Sequence, residues 1–369
     1  MSEGQHRHSV KRLAALFRKE QATRPVLLLG AGASYRSGVP LADKLVQDIA
    51  RFAFAVHELG SENLISRVSP SDWKPFLEHQ KWFLRPPASL AENFPLAVEH
   101  FLRPQEVRRR VLSQAIRPQQ PISQGYHDLA ELMSRRLCWT VLTTNFDSLL
   151  AEALQPRLAH LRDIREVNRT SGDLAGFSVY NRCQVVYLHG AVEYYRDCNL
   201  EKETKTLDER LVARLWPLLA ESPLVVIGYR GYELSVTEHF LLNAVSQCDN
   251  FRHGVFWCVR PGSPLHPNVA RIQKALGSNF TLLEIDGFDE LMIDLRAELH
   301  GETVFSEHYA DEKEQLSWDA RPASGATLDD IDLDLAWAKL VEYAKRLELG
   351  PIESDRLQQM MLELRLAAR

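Results

Sequence analysis

No two of the five cysteines are separated by two residues. The paired C-x-x-C ligands of a four-cysteine zinc site are therefore missing. Cys138, Cys183, Cys198, Cys248 and Cys258 are scattered and odd in number, which argues against a disulfide framework. A reducing, cytoplasmic compartment is the expectation. No apolar run approaches the roughly 18 residues of a membrane-spanning helix. The opening residues, Met1 to His8, hold no apolar leader core. Excess positive charge is lacking too, the chain carrying a net −5. Residues 301–369 hold 15 acidic and 8 basic side chains, a net −7, which leaves about +2 for residues 1–300. Such a tail is a poor nucleic-acid binder, and neither nucleic acid nor membrane is expected as a direct partner. No internal repeat is present.

The chain does have the makings of a large core. It has 369 residues, 45% of them apolar and 25% charged. Those are ordinary values for a globular protein of this length. The most informative stretch is Val26-Leu27-Leu28-Leu29-Gly30-Ala31-Gly32-Ala33-Ser34. Four apolar residues predict a buried strand, and a glycine-rich turn follows at once. Leu41, Leu45, Val46 and Ile49 then recur at helical spacing. A strand, a glycine turn and a helix make a cradle for a dinucleotide pyrophosphate. Gly30 and Gly32 would let the backbone approach the phosphates, and a helix N-terminus would offer free N–H groups. The third glycine of G-x-G-x-x-G is absent, so a plain tight turn is the competing reading.

Two further strand ends carry polar groups. Val141-Leu142-Thr143-Thr144-Asn145-Phe146-Asp147 is an apolar run that ends in polar residues, ahead of a helix suggested by Leu149, Leu150 and Leu154. Asn145 and Asp147 would sit at the carboxyl end of a strand, where open α/β sheets bind ligands. Asp147 as a simple helix cap is the alternative. Val185-Val186-Tyr187-Leu188-His189-Gly190 repeats the pattern with one histidine. A lone histidine is more often structural than catalytic, but this one stands beside glycine at a strand end.

Strands are predicted at 26–29, 139–144, 184–188, 224–227, 255–259 and 280–285, with helices near 8–20, 125–137 and 288–299. They make an α/β fold: a Rossmann-like parallel sheet with helices on both faces. Residues about 45–120 show helical stretches and no strand pattern. They read as an inserted helical subdomain covering a nucleotide cleft. The domain reading is 1–300 for the sheet domain and 301–369 for an acidic linker and C-terminal helical region, with helices near 332–348 and 353–367. Two such helices cannot bury their apolar faces alone, so they should dock on the core or on another chain. The arginines from Arg103 to Arg117 are either a contact for RNA, DNA or protein, or a solvated helix face; the second is the simpler reading.

These pieces together resemble the sirtuin-like superfamily. The resemblance rests on Gly30-Ala31-Gly32-Ala33-Ser34 with Ser37-Gly38-Val39-Pro40, then Thr144-Asn145-Phe146-Asp147, Leu188-His189-Gly190, and Val225-Val226-Ile227-Gly228-Tyr229. Their order agrees over roughly residues 24–300. The protein-deacylating members carry a zinc ribbon, and they follow the Gly-Ile/Val-Pro step with Asp-Phe-Arg. This chain has no C-x-x-C pairs, and Leu41-Ala42-Asp43 follow Val39-Pro40. Both departures are similar to the divergent, zinc-free bacterial branch, which includes NAD hydrolases of anti-phage defence.

The resemblance implies cleavage of the nicotinamide–ribose bond of NAD, with NAD as substrate and no metal. It implies Asn145 and His189 as catalytic, with Asp147 beside them. His189 would be the general base or accept a ribose hydroxyl, because imidazole titrates near neutral pH. Asn145 would hold the water or a ribose hydroxyl, and Asp147 the nicotinamide amide or the developing cation. Gly30, Ala31, Gly32 and Ser34 would hold the cofactor near its pyrophosphate, and Thr144 is a further cofactor-binding residue. Gly228 and Tyr229 would line the adenosine side, unless Tyr229 is core packing. Asp43 is either a cleft residue or a helix-start residue. The alternatives are a protein deacylase or ADP-ribosyl transferase, and a non-catalytic nucleotide sensor. An enzyme that drains NAD needs gating, so a homo-oligomer or a partner protein, such as an ATPase or another defence component, is expected. The choice between NAD and NADP stays open, since no acidic ribose ligand stands at the usual place.

Overall fold

The computed structural model describes residues 2–18, 23–156, 164–167, 183–190, 207–246 and 251–300. The chain divides between Val304 and Phe305, and every described residue lies in the first part. The expected helices at 332–348 and 353–367, and the residues Cys198 and Cys248, lie outside the described residues.

Seven parallel strands form one sheet: β1 (Val26–Leu29), β2 (Thr140–Thr143), β3 (Ile164–Val167), β4 (Cys183–Tyr187), β5 (Leu224–Ile227), β6 (Val255–Val259) and β7 (Phe280–Glu284). Their order is β3-β4-β2-β1-β5-β6-β7. From β1 the chain goes to its neighbour β2, out to the edge at β3 and back inward to β4, then begins again at β5 on the other side of β1. The order therefore reverses at β1/β5, which is where open α/β sheets leave a crevice for ligands. Six of the seven strands coincide with sequence-predicted apolar runs. The exception is β3, Ile-Arg-Glu-Val at the sheet's edge, where no apolar run exists to announce it.

The strands feed two cores. Side chains alternate across a strand, so Leu27, Leu29, Val141, Val185, Tyr187, Val225 and Ile227 go to one face. Val26, Leu28, Leu142, Val186, Leu224 and Val226 go to the other. The first face is covered by α1 (Ser2–Phe17), α6 (Gln124–Ser134), α7 (Leu149–Leu154) and the helix Phe288–Glu298. The second is covered by the helix Glu209–Glu221, the π-helix Ser235–Leu242 and the helix Pro267–Leu276. With both faces buried, the strands read as unbroken apolar runs. That is why they were legible. α1 begins eight residues before the first of its buried apolar residues, Val10. Its polar half is held by His6, whose Nε2 lies 3.0 Å from Asp294 and whose Nδ1 accepts from the Asp286 amide at 3.0 Å.

Between β1 and β2 the chain is helical: α2 (Ala42–His57), α3 (Pro70–Glu78), α4 (Phe94–Phe101) and α5 (Gln105–Ala115). This segment has a third core of its own, around Val46, Ile49, Trp73, Leu77, Phe101 and Leu112. Phe76 joins it by ring contacts to Phe54 at 5.6 Å and Phe101 at 5.4 Å. Ser69 caps α3: its amide and hydroxyl both donate to Asp72, at 2.8 and 2.6 Å, and Pro70 takes the first helical position. No described helix is long and apolar enough to cross a membrane.

Candidate active site

Parallel register gathers the expected residues. Leu29 pairs with Thr143 on one side and Ile227 on the other, and Thr143 pairs with Tyr187. The segments just beyond these partners are Gly30–Ser34, Thr144–Asp147, Leu188–Gly190 and Gly228–Tyr229. All four lie at the carboxyl edge of adjacent strands. Thr144 extends the ladder by donating its amide to Leu29 O at 3.0 Å, and the Leu188 amide does the same to Thr143 O at 2.9 Å.

The glycine turn differs from the expectation. It opens into two single 3₁₀ turns, Ala31–Ala33 and Tyr35–Ser37, and α2 starts only at Ala42. The Gly32 amide donates to Gly228 O at 2.9 Å, Ala33 to Gly30 O at 2.9 Å, and Ser34 to Ala31 O at 3.2 Å. These amides are committed inside the chain. The glycines answer a different need: a Cβ on Gly30 would stand 2.6 Å from Gly228 O, and one on Gly32 would stand 2.9 Å from Gly228 Cα. The turn after β1 and the turn after β5 touch backbone to backbone at the switch point. Gly228 itself has φ +69°.

Below this contact lies a buried polar cluster. Ser34 is fully buried, so it faces inward rather than towards a phosphate. Its hydroxyl donates to Asp147 Oδ2 at 2.7 Å, lies 2.8 Å from the Tyr126 hydroxyl, and accepts from Asn145 Nδ2 at 2.9 Å. Asn145 Nδ2 also donates to Gly30 O at 3.2 Å. Both amide hydrogens are thus used, and because Gly30 O can only accept, the amide cannot be turned over. Asn145 Oδ1 is buried without a hydrogen-bond partner. An orphaned acceptor of this kind costs about 1–3 kcal/mol. Burial raises the Asp147 carboxyl to about 6, against the lowering effect of the Ser34 hydroxyl and the Leu149 amide. The Leu149 amide bonds Asp147 Oδ1 at 3.3 Å, so Asp147 caps α7 as well as joining the cluster.

His189 is buried, and its Nε2 lies 2.9 Å from Ser235 Oγ at the start of the π-helix. π-turns are rare and recur at functional sites. The imidazole is 6.4 Å from the Phe146 ring, which places it beside the Asn145–Asp147 segment. A cavity of about 590 Å³ opens on Phe146, Asp147 and Ser148 and is walled on the far side by Arg109 and Arg110 of α5 and by Arg117 just beyond its end. Part of the basic stretch therefore lines a cavity. Arg110 is also held bidentately by Glu62, at 3.1 and 2.7 Å.

Two expected residues stand apart. Tyr229 is core: it packs on Trp257 with ring centroids 5.9 Å apart, and its hydroxyl reaches Glu233 O at 3.4 Å. Asp43 sits in the first turn of α2, a helix-start position. Tyr126 was missed in the sequence because it lies in an amphipathic helix, where a polar tip on a packing residue leaves no periodic signal, and Ser235 because it opens a π-turn. Glu233 was missed as well. Burial raises its carboxyl, and Oε2 has no hydrogen-bond partner. Among the described residues, no three His, Cys, Asp or Glu side chains are grouped as a metal site would need.

The fold and the cluster define an α/β, Rossmann-like protein with polar residues collected at the switch point of a parallel sheet. Residues 140–279, from β2 to the start of β7, match the model of the SIR2-like domain family. No curated protein matches the chain. Among solved structures, one described as the structural basis for the mechanism and regulation of Sir2 enzymes is 14% identical, over 79% of this chain and 96% of its own, with a TM-score of 0.40. A Sir2 homologue in complex with NAD is 16% identical, over 78% of this chain and 94% of its own, also with a TM-score of 0.40.

Proposed function

We propose that this chain hydrolyses NAD at the nicotinamide–ribose bond, releasing nicotinamide and ADP-ribose. The observation that carries the reading is Asn145 Oδ1, a buried acceptor with a fixed orientation and no partner, at the carboxyl edge of β2. A ribose hydroxyl or the attacking water supplies the donor it lacks. The SIR2-like match over residues 140–279 supports NAD as the substrate class.

In the reaction the bond from the anomeric carbon to the nicotinamide nitrogen breaks, and its electron pair leaves with neutral nicotinamide. Positive charge builds on the ribose, so the site needs a fixed negative group and a positioned water. Asp147, ionised above about pH 6, supplies the charge. Water attacks the anomeric carbon, and His189 takes the proton it sheds. The cavity beside Asp147 gives the leaving group room.

In the cell this activity would act as a gated, NAD-depleting effector of anti-phage defence in the cytoplasm, switched on by self-assembly or by a partner protein. The test is NAD consumption by the purified chain, with chromatographic identification of products and a parallel arm containing an acyl-lysine peptide. Nicotinamide plus ADP-ribose without peptide is the expected result. Turnover only with peptide, yielding an acylated ADP-ribose, would make the chain a deacylase. NAD binding without turnover would make it a sensor. In an active preparation, His189→Ala and Asn145→Ala should each lower turnover by about 10²–10⁴-fold.

A further inference from the structure

We infer that Tyr126 is a positioning residue of this site: by donating to Ser34 it commits the only Ser34 proton to Asp147 and holds Asn145 Oδ1 towards the ligand as an acceptor. The inference rests on the functional reading only for the identity of the ligand.

The assignment follows from counting hydrogens. An ionised carboxylate can only accept, so the Ser34–Asp147 bond of 2.7 Å takes the single Ser34 proton. A serine oxygen has two lone pairs left. One accepts from Asn145 Nδ2 at 2.9 Å, and the other must accept from Tyr126 at 2.8 Å. With Asp147 ionised, this arrangement fills every position on the Ser34 oxygen, while the Asn145 amide also acts on the Tyr126 hydroxyl. Hydrogen bonds in such a chain polarise one another. Tyr126 therefore strengthens the Ser34 bond to Asp147 although it touches neither Asp147 nor the ligand-facing oxygen.

The tyrosine is held for this task. It is buried on α6, with its ring 5.0 Å from Phe288. Gly125 brings α6 close to the helix Phe288–Glu298: a Cβ there would meet Asp289 Cα at 2.8 Å, and the Gly125 amide donates to Asp289 Oδ1 at 2.8 Å. Burial and the facing Asp147 push the Tyr126 phenol well above its ordinary value, so it remains a donor across the working pH range. The charged groups around Asp147 are Glu152 on α7 and, across the cavity, Glu106, Arg109, Arg110 and Arg117 from α5 and its end. Asp289 faces Tyr126 from the other side and carries Arg36 4.0 Å away. None of these groups bonds Ser34, so they bias the midpoint of Asp147 without altering the proton count.

When Asp147 protonates, a hydrogen on Oδ2 meets a Ser34 oxygen already accepting two, and a hydrogen on Oδ1 leaves Ser34 bonded to a neutral acceptor. Either change alters the bond from Ser34 to Asp147, and Tyr126 senses it through Ser34. The test is the wild-type chain labelled with ¹³C at the tyrosine ring carbon that bears oxygen, titrated from pH 5 to 8 beside a ¹³C-carboxyl aspartate sample. The Tyr126 resonance should move with the same midpoint as Asp147, near 6, although the phenol does not ionise there. A flat Tyr126 resonance across the Asp147 transition would overturn the inference. Tyr126→Phe keeps the ring on Phe288 and supplies the second readout. The Asp147 midpoint should rise, and NAD affinity should weaken by up to roughly tenfold, the scale of one ordinary hydrogen bond. An unchanged midpoint in a folded Tyr126→Phe protein would also overturn it. If wild type neither binds nor cleaves NAD, the NAD reading fails while both titrations still decide the role of Tyr126.

Discussion

Gly228→Ala should unfold this protein far more easily than Gly60→Ala, although both replace a glycine at nearly the same backbone angle. Gly228 has φ +69° and Gly60 has φ +74°. Placing an L-residue in that region costs roughly 1–2 kcal/mol. The accompanying loss of unfolded-chain entropy is the same at both sites and cancels. The surroundings differ. At Gly60 a new Cβ meets nothing within 4 Å; at Gly228 it stands 2.6 Å from Ala33 N and about as close to Gly32 as 3.0 Å. Those are backbone atoms of the turn after β1, and that turn is pinned by the Gly32 and Ala33 amides. It can yield only by breaking those bonds. Overpacking of this kind adds roughly 1–3 kcal/mol. The expected losses are about 1–2 kcal/mol for Gly60→Ala and about 2–5 kcal/mol for Gly228→Ala, against a total of about 5–15 kcal/mol for an ordinary domain. Urea unfolding followed by circular dichroism measures both, provided the slopes agree. Equal midpoints for the two variants would refute the claim that the two turns are locked backbone to backbone.

Other outcomes follow from the polar cluster. The Asp147 carboxyl is raised to about 6 in the folded state, against about 3.9 when unfolded. The folded state thus holds more protons between those values, and wild-type stability should fall as pH rises from about 4 to 6, by roughly 2 kcal/mol. Asp147→Asn should remove that slope and equal or exceed wild-type stability at pH 8, while NAD turnover drops; a preserved slope in equilibrium unfolding would place the titrating group elsewhere. Turnover by wild type should fall off below about pH 6 as Asp147 is neutralised, and an acid limb that persists unchanged in Asp147→Asn would exclude it as the cause. Ser235→Ala removes the hydroxyl beside His189 and should reduce turnover by several-fold, with little change in NAD affinity by calorimetry. Equal losses in turnover and affinity would mean that Ser235 shapes the binding pocket rather than orienting the imidazole.

Much of the fold was legible because a parallel sheet buried on both faces writes each strand as an apolar run. β3 shows where that fails: an edge strand needs no such run, and Ile-Arg-Glu-Val has none. The expectation of a phosphate-binding helix start failed for a related reason. Glycines in the sequence announce that something comes close, but not what; here it is the backbone of the turn after β5. The strand-end residues Asn145, Asp147 and His189 were readable because each interrupts an apolar run. Tyr126 was not, since a tyrosine in an amphipathic helix looks like any packing residue until its hydroxyl is seen 2.8 Å from Ser34. Ser235 and Glu233 were hidden by the irregular loop and π-turn that place them.

The helix α5 ties the interior of the helical segment to that of the sheet, as do Leu45 of α2 and Phe94 of α4. Leu112 is seated in the core of the helical segment, and Ile116, one turn later, in the core on one face of the sheet. Arg109, Arg110 and Arg117 line the cavity from this helix and its end, while Phe146 and Asp147 line it from the turn after β2. The cavity thus has one wall held by the hydrogen-bonded cluster of Ser34, Tyr126, Asn145 and Asp147 and another carried by the helical segment, so a displacement of α5 would change its width without touching a bond of that cluster.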